Sequence, residues 1–493
     1  MKKTVNRGLL LLLLVVVMLS SGCPAPASQE SPTSQPATTA VSHASTPLPT
    51  KQETTTPPTP TSASATTPTL TTAPTPTVSP PTALVIPATT LNSHFGFGDA
   101  TFNAQELADL GIKWDQPASS LPFSWYLIEK VKGTYDWSKE DQYVQLAQQY
   151  GFATVPVIRP FNAWDQAGWG PSTTTHHYGN TAELGTSRRK PYDMNAYMNF
   201  VSAIVERYDG DGRNDMPGLK YPIKYWGTFG EPDMSNFDGT VQDYIEIMEA
   251  TYKAVKRADP GAKVVQGAMG KAWEYDWIRP VLEKGAEYFD IAAVHSLSSS
   301  AYLWVPEYKA LLSSYGIDKP LWVTEAEYRI GRYVLSPETT DREISPEEHG
   351  QILTKGYVTA FSYGVDKIFY DWFRAPLAGD KRYPYFPPEG LAQFQRTALI
   401  DENGIKRPAY YALVTMTHKL EWFTSAEKLS EGRFRFAVGG KNVYAIWGYG
   451  ALPAEVVGEL IVTDIYGTET KSNSSELNLT QNLVFVEIVS GTR

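Results

Sequence analysis

From about residue 92 to residue 420 the chain alternates short apolar runs with longer stretches in which apolar positions recur every three or four residues. The short runs read as buried strands and the longer ones as amphipathic helices. Candidate strands are His94–Gly98, Ile112–Gln116, Ala153–Ile158, Ile223–Phe229, Lys263–Gly267, Ile291–His295, Leu321–Thr324 and Lys367–Tyr370. Between them lie helical patterns such as Glu140–Tyr150, Asn195–Tyr208, Val241–Ala258 and Pro346–Tyr363. Gly151 and Gly364 follow two of these helices where a left-handed residue is wanted, and Asp259-Pro260-Gly261 breaks a third. Eight such alternations predict an α/β fold, a (β/α)8 TIM barrel over residues 89–420 rather than an open doubly wound sheet. No Gly-rich phosphate loop follows any of these strands, which argues against a dinucleotide site.

Beyond Leu420 the pattern changes. Arg433–Val438, Asn442–Trp447, Glu459–Asp464 and Leu483–Val489 read as short strands separated by Gly, Asn and Ser turns. Residues 421–493 are expected to form a small C-terminal all-β, sandwich-like domain, to which Leu84–Ile86 adds a strand. The N-terminus is different again: Lys2, Lys3 and Arg7 precede an unbroken apolar run from Leu9 to Leu19, followed by Ser20-Ser21-Gly22-Cys23. That run is shorter than the about 20 residues of a spanning helix and fits the apolar core of an export signal. Cys23 is the only cysteine, so no intramolecular disulfide can form. Its place after small residues resembles a bacterial lipobox, although Ser20 stands where an aliphatic residue is usual. Residues 1–23 then form a signal ending at a lipidated Cys23, with membrane lipid as a partner.

Residues 24–88 read as a disordered Ser/Thr/Pro-rich linker. Between Thr54 and Thr82, 24 of 29 residues are Ser, Thr or Pro and none is charged. Such a stretch buries too little apolar surface to offset the entropy of ordering it. Dense proline keeps it extended, and its hydroxyls invite O-glycosylation. The expected location is outside the cytoplasm, anchored to the bacterial cell membrane. A net charge of −10 argues against a nucleic-acid partner, which needs clustered Lys and Arg. The 13 Trp and 29 Tyr suit both core packing and stacking on the faces of sugars.

Candidate chemistry centres on two glutamates, each closing a strand-like run: Ile223 to Glu231 and Pro320 to Glu325. A carboxyl at the exit of a buried strand is costly unless its charge has a use. In a (β/α)8 barrel the strand ends share one mouth, so Glu231, Glu325, His295, Trp372, Asn162 and Trp164 are expected to converge there. Glu327 would share the face of Glu325 if its strand continued, and is the second candidate for the same role. His176 and His177, adjacent in sequence, are a poor metal signature. Asp209, Asp211 and Asp215 alternate as in a calcium loop, but Arg213 takes a ligand's place and no bidentate glutamate follows. No metal and no cofactor are expected.

The ordered series Trp125, Gly133-Thr134-Tyr135-Asp136-Trp137, Tyr225-Trp226 with Gly230-Glu231-Pro232, Phe289-Asp290 through His295, Thr324-Glu325, and Leu399-Ile400-Asp401 through Arg407-Pro408-Ala409-Tyr410-Tyr411 resembles clan A glycoside hydrolases of the family 39 kind. The resemblance covers about residues 92–493. It implies a glycosidase cleaving a polysaccharide or oligosaccharide by double displacement, with Glu231 as acid/base, Glu325 as nucleophile and Trp372 flooring the sugar subsite. His295, Asn162 and Trp164 would contact the sugar or line the cleft. Two positions depart from the pattern. Gly230 stands where these enzymes carry an asparagine that binds the sugar 2-hydroxyl, and Gln116 stands where they carry an arginine at the end of strand 2. The departures leave open a substrate without a free 2-hydroxyl, a compensating residue such as Asn162, or a non-catalytic carbohydrate-binding lipoprotein on the same barrel. A transport-type binding protein would need two similar lobes, and no internal duplication is visible.

Overall fold

The computed structural model describes residues 84–117, 122–171, 187–234, 237–271, 275–297, 304–332, 343–377 and 391–489. The expected signal with Cys23, most of the linker, and His176 and His177 lie outside them.

The eight expected strands are present: β1 (Phe95–Gly98), β2 (Trp114–Gln116), β3 (Ala153–Thr154), β4 (Tyr225–Gly227), β5 (Lys263–Val265), β6 (Ala292–Leu297), β7 (Leu321–Glu327) and β8 (Val365–Tyr370). They are parallel, hydrogen-bonded in the order β3-β2-β1-β8-β7-β6, with β4 paired to β5. Two further parallel bridges, Val157 to Gly227 and Val265 to Ile291, join β3 to β4 and β5 to β6 and close the ring. β3 is shorter than its apolar run because Pro156 has no N–H to give to the ladder. Pairing resumes at Val157.

Helices α1 (Ala104–Asp109), α2 (Ser138–Gln149), α3 (Met194–Tyr208), α4 (Val241–Ala258), α5 (Tyr275–Gly285), α6 (Val305–Ser314), α7 (Pro346–Ser362) and α8 (Pro408–Leu420) accompany the strands. Their starts are chemically marked. Asp193 accepts from Ala196 N–H, Thr240 and Asp243 form a reciprocal capping box, and Ser345 accepts from Glu348 N–H. Inside the ring, Trp114, Val155, Val265, Ala293, Trp322 and Phe369 form one apolar cluster. Outside it, Leu107, Val144, Val201, Met248 and Leu353 of the helices join Trp226, Val294, Val323 and Ile368 of the strands. The barrel is thus a filled core with its working surface at one end.

Residues after 420 form one six-stranded antiparallel sheet, not the expected sandwich. The strands are β9 (Phe423–Ser430), β10 (Arg433–Val438), β11 (Lys441–Ile446), β12 (Glu459–Asp464), β13 (Glu469–Asn473) and β14 (Val484–Ile488), in the order β9-β10-β11-β14-β12-β13. The two strands absent from the sequence reading, β9 and β13, are its edges. Their residues are mostly exposed, so no apolar alternation announces them. One face of the sheet (Phe434, Phe436, Val443, Ala445, Phe485) belongs to the barrel's own outer core. The other (Tyr444, Ile446, Leu460, Val462, Val486) is covered by Leu452, Leu477 and Leu479 instead of a second sheet. Leu84–Ile86 adds no strand to this sheet; Ile86 packs in the inner barrel cluster with Trp114 and Tyr221.

Polar contacts tie the sheet to the barrel. His94, beside β1, stacks on Phe423 at 3.8 Å between ring centres and sets Nε2 2.9 Å from the Phe423 carbonyl oxygen. The Trp422 indole donates to Thr89 O, and Leu483 N–H donates to Gln351 Oε1.

β4 and β5 are short, and what fixes the chain beyond them is a close backbone approach. The Tyr244 hydroxyl on α4 donates to the carbonyls of Phe229 and Gly267, while Gly267 N–H donates to Thr228 Oγ1. A Cβ on Gly267 would lie 2.1 Å from the Phe229 carbonyl oxygen and 2.5 Å from the Tyr244 hydroxyl. Gly267→Ala should therefore destabilise the fold by about 1–3 kcal/mol, read as a lower urea midpoint. An unchanged midpoint would show that the clamp is slack.

Candidate active site

Glu231 lies four residues beyond β4, held by the clamp just described. Its N–H donates to Ala268 O at 2.7 Å, and its φ of 54° is left-handed, an uncommon setting for a non-glycine residue. The residue before a proline is kept out of the right-handed helical region, and Pro232 follows. Asp233 then accepts from Gly270 and Lys271 N–H, fastening this loop to the one after β5. Backbone strain held in place by its surroundings is a feature of functional loops.

Glu325 reaches the same mouth through a register shift in β7. Val323 is opposite Val294 and Glu325 is opposite His295, so Thr324 is an extra residue relative to β6. Against β8 the register also shifts, between the Val323–Ile368 and Ala326–Tyr370 pairs. An inserted residue of this kind re-aims the side chains beside it. Here Thr324 and Glu325 both line the pocket that Glu231 and His295 line.

His295 sits between the two carboxyls. Its Nδ1 is 3.1 Å from Glu231 Oε1 and 3.4 Å from Glu325 Oε2. One oxygen from each glutamate and a ring nitrogen all lie within 4.8 Å of one another. Burial pulls the imidazole's pKa down, but the charge of Glu325 and the hydrogen bond and charge of Glu231 outweigh it and raise it to about 9. Burial raises Glu325 to about 8; His295 opposes the shift, Glu231 and Glu327 add to it, and Arg159 lowers it.

The pocket's cavity volume is about 40 Å³, room for about two or three waters. Among the residues expected to meet there, Glu231, Glu325, His295, Gly230 and Gln116 line it. The other three expected contacts are engaged elsewhere. Asn162 gives its amide hydrogens to the carbonyls of Trp125 and Glu129, and Trp164 donates to Glu129 O beneath Lys132. Trp372 is buried against Phe394 at 4.6 Å and donates to Glu327 Oε1. β7 does continue to Glu327, but that carboxylate is buried in an ion pair with Arg329 and accepts from Trp372. Asp209, Asp211 and Asp215 come together, yet their oxygens accept from the N–H groups of Gly210, Asp211, Gly212 and Arg213 in a polar turn.

Two residues of the mouth were not singled out from sequence. Arg159, just past the expected end of the third strand, lines the pocket and brings the cation absent at Gln116. It closes Val155-Pro156-Val157-Ile158 as Glu231 closes its own run, and that parallel was the available signal. Asp371 follows β8 directly, and burial, with the charges of Glu325 and Glu327 behind it, raises its pKa well above the carboxylate range. Its Oδ1 occupies the space a side chain on Gly98 would need.

A (β/α)8 barrel with one glutamate beyond its fourth strand and a second within its seventh is the class that fold and site define. Solved structures of glycoside hydrolases share the fold. A family 39 enzyme from Bacteroides cellulosilyticus aligns with a TM-score of 0.58 at 15% identity, over 81% of this chain and 82% of that one. A family 39 beta-xylosidase from Caulobacter crescentus gives 0.55 at 15% identity, over 83% and 97%. The family 39 enzyme from Xanthomonas axonopodis pv. citri gives 0.52 at 15%, over 83% and 96%. No family model and no curated protein matches the sequence.

Both His295 and Glu325 hold protons more tightly in the fold than in an unfolded chain, where they titrate near 6.5 and 4.5. Stability from His295 is fully present below about pH 6.5 and is lost as pH rises toward about 9; that from Glu325 is lost between about 4.5 and 8. Melting should therefore occur at a lower temperature at pH 9 than at pH 6.5. Glu325→Gln, which removes the charge that does most to raise the imidazole's pKa, should flatten the decline. A melting temperature that climbs over this interval would contradict the arrangement.

Proposed function

We propose that the chain is a retaining glycoside hydrolase, with Glu231 as acid/base and Glu325 as nucleophile, acting on a polysaccharide or oligosaccharide. The observation that carries this reading is that both glutamates face one imidazole nitrogen in the barrel mouth, Glu231 at 3.1 Å and Glu325 at 3.4 Å, which sets two carboxyls on either side of one small space. Direct attack on the anomeric carbon needs carboxyls about 5–5.5 Å apart, whereas an inverting enzyme leaves about 6.5–9.5 Å for a water.

In the first step Glu231 gives a proton to the leaving oxygen while Glu325 bonds to the anomeric carbon. In the second, Glu231 takes a proton from water, whose oxygen displaces Glu325. Attack requires Glu325 without its proton, although in the free pocket it holds one up to about pH 8. His295 faces both carboxyls through Nδ1. It can give a proton to Glu231 and take one from Glu325, which readies acid and nucleophile together and leaves the imidazolium charge unchanged. Arg159 favours the ionised Glu325 that results.

Glu325→Ala should lower turnover by about 10³-fold or more, a loss of about 4 kcal/mol in transition-state stabilisation. Added azide should restore part of it and give product of inverted configuration. Glu231→Ala should spare aryl glycosides with good leaving groups more than natural ones. Gly230 and Gln116 favour one other reading, a carbohydrate-binding protein on the same barrel. A wild-type protein that binds a polysaccharide yet cleaves nothing in a broad panel of glycans and aryl glycosides would establish it. In the same reading, Cys23 carries lipid and holds the protein at the outer side of the cell membrane. Mass spectrometry of the membrane-extracted chain should find a diacylglycerol-sized increment on Cys23, and an unmodified thiol would remove the anchor from the proposal.

A further inference from the structure

The pocket has two unlike sides. His295, Thr324 and Glu325 come from β6 and β7. On the opposite side, following β2 to β5, the small apolar Val155, Val157, Gly227, Gly230, Val265 and Ala268 are interspersed with Gln116, Arg159, Thr228, Phe229 and Gln266. Gly230 is not required by the backbone, since it does not occupy a left-handed setting. A Cβ there would meet Ala268 O at 3.6 Å and His295 Cε1 at 3.9 Å, ordinary contact distances. Its missing side chain therefore leaves room directly beside Glu231.

The same pocket holds an unmet polar group. Gln116 is 4% exposed and its Oε1 has no hydrogen-bond partner among the described residues. It shares the inward face of β2 with Trp114, two residues back, and so points into the barrel. A buried acceptor left unpaired costs about 1–3 kcal/mol, and a ligand N–H would relieve it. Thr324, on the opposite side, has a second unpartnered buried oxygen, Oγ1.

We propose that the sugar held between Glu231 and Glu325 carries an acetamido group at carbon 2, received by the β2–β5 wall. Carbon 2 is bonded to the carbon that Glu325 attacks, so its substituent falls within the same pocket. The amide N–H supplies the donor that Gln116 Oε1 lacks. The carbonyl finds a donor in Arg159, and the methyl group meets Val157, Val265 and Ala268. A plain 2-hydroxyl would leave the space beside Gly230 empty.

The proposal rests on the glycosidase reading, and the test separates the two. The full chain is assayed on matched 4-nitrophenyl glycosides of both anomers, in gluco and galacto configuration, bearing either a 2-acetamido or a 2-hydroxyl group. The expected result is a kcat/KM at least about 100-fold higher on one of the acetamido substrates than on its hydroxyl counterpart, because a group built to pair with the substrate penalises the analogue that lacks it. Gly230→Asn should fill the space and cut that preference at least about tenfold. Gln116→Leu should erode it chiefly through KM, whereas a merely structural role would lower activity on both substrates alike. If hydroxyl glycosides are cleaved as well as or better than acetamido ones, the acetamido proposal falls and the hydrolase stands. If nothing is cleaved, calorimetry with N-acetylglucosamine and glucose decides. Selective binding of the former keeps the pocket's specificity and sinks the hydrolase; no binding of it sinks both.

Discussion

The mouth of this barrel concentrates more negative charge than its burial would tolerate without help. Glu231, Glu325, Glu327 and Asp371 crowd the ends of β4, β7 and β8, and removing a carboxylate from water is costly unless it is paired or protonated. Each is handled differently. Glu327 has Arg329, burial pushes the pKa of Asp371 up and so favours its protonated form, and Glu231 and Glu325 share His295. The imidazole is therefore the piece on which the others depend: without it two facing carboxyls would compete for a single proton. Arg159 acts on the same balance from the far side of the pocket, from β3.

Much of the fold could be read along the chain because a barrel strand buried on both faces is a continuous apolar run, and eight such runs with helical spacing between them leave few alternatives. What could not be read is equally physical. The edge strands β9 and β13 bury too little to leave a pattern, and the sheet hides its second face under loop leucines that look like ordinary turn residues. In the site, Glu231 and Glu325 were legible as acids at strand exits. The register shift that turns Glu325 inward was not, because a bulge is a relation between neighbouring strands and has no mark in one of them. Trp372, Asn162 and Trp164 show the converse. Residues that end near the mouth by strand count were drawn into backbone and packing duties by neighbours far away in sequence, such as Phe394 and Glu129.

Gly230 and Gly267 lie on the same wall and illustrate two different reasons for a glycine. Gly267 is imposed by the fold, since Phe229 and Tyr244 occupy the place of its side chain. Gly230 is not imposed by anything the protein itself contains. A vacancy that the chain does not need for its own folding is information about what the chain is built around, and it differs from the empty volume of an imperfect core by its address beside a strained glutamate.

The contact between His94, Trp422 and Phe423 at the foot of the barrel bears on how the molecule is organised in energy rather than in sequence. Phe434, Phe436 and Phe485 of the sheet belong to the core that also seats α7 and α8 against the strands. The sheet is thus not a detachable module carried behind an enzyme. It is the barrel's closing buttress, and the two should melt, evolve and tolerate truncation as one body, with no hinge at residue 420 across which either could be exchanged.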